Sequence, residues 1–220
     1  MRIAIIGGTG KEGQGLALGW ARAGQEILIG SRAPERAREV AAAINAAVGK
    51  PAATGLPNAD AAAAAEIAVL TVPYAAHEAI LKEIQAAVRG KILVDVTVPL
   101  DPEKPRRLRT PAGGSATEEA QALLGPETRV VAAFQNISHK RLAEGAGTDC
   151  DVLVCGDDAE ARRQVIALAG LLGLRGLDAG PARNARVVEG LTVLLIEINR
   201  RHKAEEAGIR VTGIPEAGAD

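Results

Sequence analysis

The sequence predicts an α/β protein built on a doubly wound, mainly parallel sheet with a smaller C-terminal α/β part. Short apolar runs rich in Ile and Val alternate with Ala-rich segments of helical periodicity from the first residue onward. This alternation is typical of parallel strands joined by crossover helices that cover both faces of the sheet. Hydrophobic residues make up 47% of the 220 residues and aromatic residues only 1%. Such an aliphatic composition suits strands that are buried on both faces.

Each element follows from a local pattern. The apolar, β-branched runs predict strands over residues 2–6, 26–30, 67–72, 91–96, 129–134, 151–155 and 174–178. The Ala-rich segments predict helices over residues 13–23, 34–48, 75–88, 117–124 and 159–172. A last helix, from 183 to about 206, is strongly apolar over residues 187–198.

Two stretches interrupt this alternation. Residues 99–114 are rich in Pro, Arg and Gly and predict an extended loop, and residues 138–149 carry turn residues and mixed charge. We therefore place a domain boundary near Gly147, with a nucleotide-binding domain over 1–147 and a smaller C-terminal domain over 148–220. The tail after Gly208 has little pattern, and we expect it to be frayed unless it docks on another segment.

Charge and hydropathy exclude two classes of function. The formal net charge is −1, so no overall field would attract nucleic acid. No apolar run reaches the roughly 18 residues that a membrane span needs. The first apolar run stops at Gly7, too early for the core of a signal peptide. We therefore expect a cytoplasmic protein with small-molecule ligands.

A glycine motif follows the first strand directly. Gly8, Gly10 and Gly13 form the GxGxxG pattern where a strand passes into a helix, which is the context of a Rossmann dinucleotide site. In this motif the glycines allow a tight turn, close approach of a pyrophosphate and close packing of helix on strand. The alternative is a glycine-rich turn without a ligand. The predicted cofactor-binding residues of this turn are Gly8, Thr9, Gly10, Lys11, Glu12 and Gly13.

The end of the second strand indicates NADP rather than NAD. An NAD site usually has Asp or Glu there, about 20 residues past the glycines. This chain has Ser31 and Arg32, with Arg36 one helical turn further. A guanidinium matches phosphate oxygens in a forked geometry, and Thr9 could add a hydroxyl group. The alternative is that both arginines are ordinary surface residues.

The ends of the next strands predict the nicotinamide site, because ligands of open α/β sheets bind beyond the carboxyl ends of the strands. Thr71, Val72 and Pro73 end one strand, and residues 97–99 repeat the Thr-Val-Pro pattern at the next. Apolar and hydroxyl groups there could wall a flat ring. The alternative is that they only punctuate the strands.

No convincing catalytic acid, base or nucleophile emerges, and no metal site. We expect His77 and His202 at the surface of helices, while His139 could contact either a ligand or solvent. Cys150 and Cys155 lack CxxC spacing and are interpreted as reduced, partly buried thiols. Hydride transfer fits this set of residues, because the cofactor carries the chemistry and the protein supplies placement.

The chain resembles the deazaflavin-dependent NADP oxidoreductases. The segments that carry the resemblance are residues 1–10, 30–32, 68–73, 151–158 and 177–181. The resemblance implies hydride transfer between NADP(H) and coenzyme F420, a deazaflavin. It also implies a homodimer, with the deazaflavin lying against the nicotinamide in a cleft between the Rossmann domain and the C-terminal part.

The resemblance also implies roles for particular residues. Thr9, Ser31, Arg32 and Arg36 would bind the 2′-phosphate, and Val72 and Pro73 would lie near the nicotinamide. The predicted acceptor segment is Gln135, Asn136, Ile137 and Ser138. The family pattern leads us to expect His at or beside position 135, where this chain has Gln. In the loop, Arg106, Arg107 and Arg109 would either meet the anionic tail of the deazaflavin or form a solvated basic loop.

Two other functions stay open. A related reductase could pass hydride to a flavin, an imine or a small carbonyl compound, although a carbonyl or imine would favour a proton donor. Alternatively, the protein could be a redox sensor that binds NADP(H) and changes partners. A wide cleft beside the nicotinamide would argue against a sensor.

Overall fold

A computed structural model describes residues 1–104, 106–144 and 149–214. Its strands form one eight-stranded sheet in the order β3-β2-β1-β4-β5-β6-β7-β8. The strands are β1 (Arg2–Ile6), β2 (Glu26–Ser31), β3 (Ala53–Pro57), β4 (Ile67–Leu70), β5 (Ile92–Asp95), β6 (Arg129–Ala132), β7 (Asp151–Gly156) and β8 (Arg175–Asp178). Only the β6–β7 pair is antiparallel among the described pairs. The predicted fold class is confirmed.

Helices cover the sheet between successive strands. They are α1 (Lys11–Arg22), α2 (Pro34–Val48), α3 (Asn58–Ala64), α4 (Tyr74–Ile84), α5 (Ala116–Leu124), α6 (His139–Glu144), α7 (Ala159–Leu171) and α8 (Ala185–His202). A 3₁₀ turn, Ala182–Asn184, leads into α8. Within the described ranges, no helix combines the length and the hydropathy needed to cross a bilayer.

The six inner strands of the sheet are mostly buried, as the composition predicts, whereas the edge strands β3 and β8 are largely half-buried or exposed. One apolar layer joins the sheet to α1, α2 and α7, and the opposite layer joins it to α3, α4 and α5. Trp20 and Phe134 meet edge to face in the first layer, with ring centroids 5.7 Å apart. The Trp20 indole N–H donates to the carbonyl oxygen of Leu168, 2.9 Å away, so this buried aromatic group has its polar atom satisfied.

Some predicted bounds differ from the structure. Strand β3 has no counterpart among the predicted strands, because its Gly and Pro weaken a strand signal; Pro is tolerated here since β3 is an edge strand. Residues 138–149 were expected to form turns, but α6 occupies part of this stretch and packs against α1. The last helix stops at His202, because Lys203 takes a left-handed backbone conformation with φ 53°.

The C-terminal part continues the sheet. Strand β7 meets β6 through only two residue pairs, Val131↔Gly156 and Ala132↔Cys155, and β8 extends it in parallel. The predicted boundary at Gly147 lies outside the described residues, and the two-domain division stays a prediction. The tail contacts this part over its described residues, because the N–H of Val211 donates to Asp151 Oδ2 over 2.7 Å.

Candidate functional site

The turn between β1 and α1 is too tight for side chains at two of its glycines. A Cβ on Gly13 would lie 2.7 Å from Thr71 Oγ1 and 2.8 Å from Gly8 Cα. A Cβ on Gly8 would lie 2.7 Å from the carbonyl oxygen of Ile5. Gly10 differs, because the nearest atom to its Cβ would be 4.0 Å away. The turn therefore packs helix against strand while leaving its backbone open to a ligand at Gly10.

The start of α1 faces this opening. Its N-cap residue, Gly10, provides no side-chain hydrogen bond to the first turn. The first N–H groups of a helix have no intrahelical partner and favour an anion. Lys11 is exposed at this end. The arrangement suits a phosphate group of a nucleotide.

A cavity of about 370 Å³ lies beyond the carboxyl ends of β1, β2 and β4. It brings together residues predicted from separate parts of the sequence, namely Thr9, Gly10, Ser31, Arg32, Arg36, Thr71, Val72 and Pro73. Ala33, Asn58, Ala76 and Ile80 also line it. Gly8, Lys11, Glu12 and Gly13 do not line the cavity but belong to the adjoining turn and helix start.

One end of the cavity carries positive charge without a carboxylate. Arg32 and Arg36 are exposed beside the buried Ser31. In the described part of the chain neither arginine forms an ion pair. Ser31 Oγ accepts the N–H of Ala33, 3.1 Å away, which shapes the turn after β2. Both guanidinium groups are therefore available to a phosphate.

Asn58 was missed by sequence reasoning. It is buried at the start of α3, where its Oδ1 accepts the N–H of Gly7 over 3.3 Å. Through this bond the β3–α3 turn supports the glycine turn of β1. The only local signal was an Asn at a turn before an Ala-rich helix, since the contact joins residues 51 apart in sequence.

Thr71 and Val72 form the other end of the cavity, because β4 ends at Leu70 rather than at Val72. Thr71 Oγ1 donates to the carbonyl oxygen of Ile6, 3.1 Å away. Gly7 has a positive φ of 71°, and a Cβ there would collide with Val72 Cγ1. The β4 end is thus held directly against the glycine turn.

Glu12 has an unusual environment for a carboxyl group. Its Oε1 is buried and has no hydrogen-bond partner among the described residues. Burial raises the pKa of Glu12 to about 8, because a desolvated carboxylate is disfavoured. At neutral pH the group is therefore mostly uncharged and adds little repulsion toward a phosphate at the start of α1.

The segment 135–138 lies beyond β6 and does not line the cavity of about 370 Å³. Gln135, Asn136 and Ile137 are buried, and Ser138 is half-buried. Gln135 Nε2 donates to the carbonyl oxygen of Asp95 over 2.8 Å, and Asn136 Nδ2 donates to that of Asp151 over 2.6 Å. The side-chain oxygens of Gln135 and Asn136 are buried without a partner in the described chain.

The histidines occupy three different environments. The expected surface position of His77 is wrong: it is 2% exposed and lies against Asp95. His202 is exposed, as expected, and His139 is half-buried. A ligand contact of His139 stays a prediction.

Cys150 and Cys155 are buried and form no disulfide, in agreement with the expected thiols. Burial raises the pKa of Cys155 to about 11, so this thiol stays protonated at neutral pH. The described residues contain no group of three His, Cys, Asp or Glu side chains arranged to hold a metal ion.

The arginine-rich loop packs on α8. Arg106 Nη1 lies 4.0 Å from Glu197 Oε2, and the side chain of Leu108 lies over Gly190. Arg107 and Arg109 line a separate polar cavity of about 540 Å³. The loop therefore presents cations close to the last helix.

The sheet order and the glycine turn at its centre place the chain in the class of Rossmann-type α/β proteins. The family model described as NADP oxidoreductase, coenzyme F420-dependent, matches residues 2–99. The F420-dependent NADP reductase of Methanothermobacter thermautotrophicus is 42% identical, over 98% of this chain and 97% of that protein. This chain therefore belongs to the family of F420-dependent NADP oxidoreductases, and the predicted resemblance is confirmed.

Solved structures agree with this placement. A crystal structure of a protein from Arthrobacter sp. FB24, assigned as an F420-dependent NADP reductase, matches with a TM-score of 0.83 at 29% identity. The match covers 96% of this chain and 99% of that one. An imine reductase from Streptomyces aurantiacus matches with a TM-score of 0.61 at 21% identity, covering 92% of this chain and 64% of that one. That likeness shows the fold alone.

Proposed function

We propose that this protein is an oxidoreductase that transfers a hydride between NADP(H) and coenzyme F420. Family membership supports both coenzymes. The observation in the structure that carries the proposal is the cavity end formed by Ser31, Arg32 and Arg36, which has no carboxylate among its lining residues. A dianionic 2′-phosphate fits such an end, whereas a carboxylate would repel it.

The residues present fit an NADP molecule laid along the carboxyl ends of the strands. Thr9, Ser31, Arg32 and Arg36 would hold the 2′-phosphate. The pyrophosphate would lie on the turn from Gly8 to Gly13, where Gly10 leaves the backbone open and Lys11 adds a positive charge. Glu12 would be neutral there.

The opposite end of the cavity would hold the nicotinamide. Thr71, Val72 and Pro73 would form one wall, and the hydrogen bond from Thr71 Oγ1 to Ile6 would fix its position. Bound NADPH supplies the hydride itself. The chain's contribution is placement of two flat rings, which requires no dedicated acid or base side chain.

The acceptor would lie against Gln135, Asn136, Ile137 and Ser138. Two unpartnered side-chain oxygens in this segment would meet N–H or O–H donors of a ligand. Arg106, Arg107 and Arg109 would attract the anionic tail of the deazaflavin. In this arrangement the N-terminal part (1–147) binds NADP, and the C-terminal part (148–220) completes the acceptor cleft.

We further propose a homodimer formed through α8. Val187 and Leu194 are 63% and 59% exposed, and Ile198 is exposed on the same face one turn later. Leu191 lies between them and is half-buried. Positions 187, 191, 194 and 198 form an apolar stripe along one helix face, and exposed apolar stripes of this kind mark association surfaces.

A cytoplasmic location fits the same proposal. The reaction couples two diffusible redox coenzymes, and Cys150 and Cys155 form no disulfide. Cysteines without disulfides are typical of reducing compartments.

The proposal is tested by mixing the protein with NADPH and oxidised coenzyme F420 and following the absorbance of both. We expect loss of the deazaflavin band with NADPH and little change with NADH. Tight NADPH binding without loss of the deazaflavin band would leave the nucleotide site standing and refute the acceptor.

A further inference from the structure

A buried ionisable pair lies next to the proposed acceptor segment, residues 135–138. His77 Nε2 on α4 and Asp95 Oδ2 at the end of β5 are 2.7 Å apart, and their residues are 2% and 0% exposed. Burying such a pair costs desolvation energy that its attraction barely offsets, so stability alone is a weak reason for it. The neighbours of the pair indicate another purpose.

Asp95 forms hydrogen bonds through three different atoms, and one of these bonds reaches the proposed acceptor segment. Its Oδ2 lies at hydrogen-bonding distance from His77, and its Oδ1 accepts the backbone N–H of Thr97 over 3.0 Å. Its carbonyl oxygen accepts Gln135 Nε2 over 2.8 Å. The side chain of Asp95 therefore holds the end of β5 in place. The carbonyl group at that strand end in turn holds the Gln135 amide.

This bond determines how the Gln135 amide is oriented. Because Nε2 points at the Asp95 carbonyl, Oε1 is left buried and without a donor among the described residues. The preceding residue, Phe134, has a positive φ of 73°, a conformation that costs energy in a residue with a side chain. An unpartnered acceptor and a strained backbone side by side are typical of a site that a ligand completes.

We infer that His77 and Asp95 form a positioning pair, which holds Gln135 so that its side-chain oxygen accepts a hydrogen bond from an N–H or O–H group of the hydride acceptor. Neither His77 nor Asp95 lines the nucleotide cavity; their link to the acceptor segment is the hydrogen bond from Gln135 Nε2 to the Asp95 carbonyl oxygen. The inference rests on the proposed function, because that proposal assigns segment 135–138 to the acceptor.

The charges around His77 favour its charged form. Burial alone would lower the pKa of His77, but the attraction and hydrogen bond of Asp95 raise it above the usual 6.5, helped by the more distant Glu119 and Glu189. The ring of Tyr74 lies 5.9 Å away. A protonated His77 ring donates to Asp95 Oδ2, and this charged hydrogen bond holds the end of β5 more firmly.

The test compares His77→Gln with Glu78→Gln, a matched control. Glu78 is the next residue on α4, is exposed and pairs with Lys82. We expect H77Q to lower kcat/KM for coenzyme F420 about ten- to hundredfold, as small misplacements of reactants do, while the NADPH dissociation constant stays unchanged. We expect E78Q to behave like the parent protein. An H77Q variant that weakens NADPH binding and turnover equally, as general destabilisation would, overturns the inference.

A double-mutant cycle separates positioning from a merely structural role. Gln135→Met keeps the side-chain length and removes the amide. If His77 acts through Gln135, adding H77Q to Q135M lowers kcat/KM no further, because both changes remove one interaction. Independent, additive losses overturn the inference.

A measurement that needs no turnover tests the positioning pair even if the proposed function is wrong. The side-chain NH₂ signals of Gln135 in a ¹H–¹⁵N spectrum are assigned by their loss in Q135M. We expect these signals to move in H77Q and to stay in place in E78Q. If the parent protein does not reduce coenzyme F420, the proposed function fails, and unchanged Gln135 signals in H77Q overturn the positioning pair separately.

Discussion

Replacing Arg32 by Ala removes one guanidinium from the proposed 2′-phosphate site. Arg32 is exposed at the cavity edge, so solvent screens its charge and places its contribution near the lower end of the range for a charged hydrogen bond, about 1.5 kcal/mol. Each 1.4 kcal/mol is about a factor of ten in affinity. We therefore expect the NADPH dissociation constant to rise roughly tenfold, measured by fluorescence titration. The NADH constant should change by less than about twofold, because NADH lacks the 2′-phosphate.

Arg38→Ala is the matched control for this experiment. Arg38 lies on α2, the helix that follows Arg32; it is exposed and bonds Glu35 rather than lining the cavity. We expect it to leave both dissociation constants unchanged. The NADPH advantage should also shrink as salt is added, since ions screen exposed charges. Equal losses of NADPH and NADH affinity in R32A, or equal effects of R32A and R38A, would refute the assignment of this end of the cavity.

Three further predictions concern the glycine turn, Glu12 and α8. Gly10→Ala should keep the melting temperature but weaken NADPH binding. Gly13→Ala should lower the melting temperature as well as the NADPH affinity, because its Cβ would lie 2.7 Å from Thr71 Oγ1. Equal melting temperatures for the two variants by calorimetry would contradict this. Because the pKa of Glu12 is raised to about 8 in the folded protein, its neutral form favours folding at low pH, and that contribution is lost as pH rises from about 4.5 through 8. E12Q should therefore be more stable than the parent at pH 9 and similar at pH 4; a parallel pH dependence of the two melting temperatures would argue against it. Leu194→Glu should give monomers at micromolar concentration by light scattering, with Leu171→Glu on α7 as an exposed apolar control; an unchanged mass for L194E would exclude α8 as the interface.

The parts of the fold that local pattern determines were predicted well. The strand β1 matches its predicted bounds, and α2 begins at Pro34 as expected. The strand β3 was not predictable in this way, because an edge strand needs no continuous apolar run and tolerates Pro57. The helix α6 was not predicted from local pattern either, because it is stabilised by packing against α1 rather than by its own composition.

The candidate site also contains parts that local motifs predict and parts that depend on contacts between distant residues. The glycine turn and the Ser31–Arg32 strand end are local motifs, and the structure brings them to one cavity. The contacts of Asn58 with Gly7 and of Gln135 with Asp95 join residues 51 and 40 apart, and no local pattern predicts such pairs. His77 did have a signal, since it lies three residues before Ile80 on the buried face of α4. Its partner on β5 could be found only from the folded chain.

The central claim is direct hydride transfer between two coenzymes held by this chain. The most direct measurement uses NADPH deuterated at the transferable position of the nicotinamide, with oxidised coenzyme F420 in ordinary water. Mass spectrometry of the reduced deazaflavin then shows whether the deuterium has moved. We predict that it is recovered in the deazaflavin ring. Deuterium lost to solvent, or an absence of reduced deazaflavin while NADPH still binds, would contradict the account.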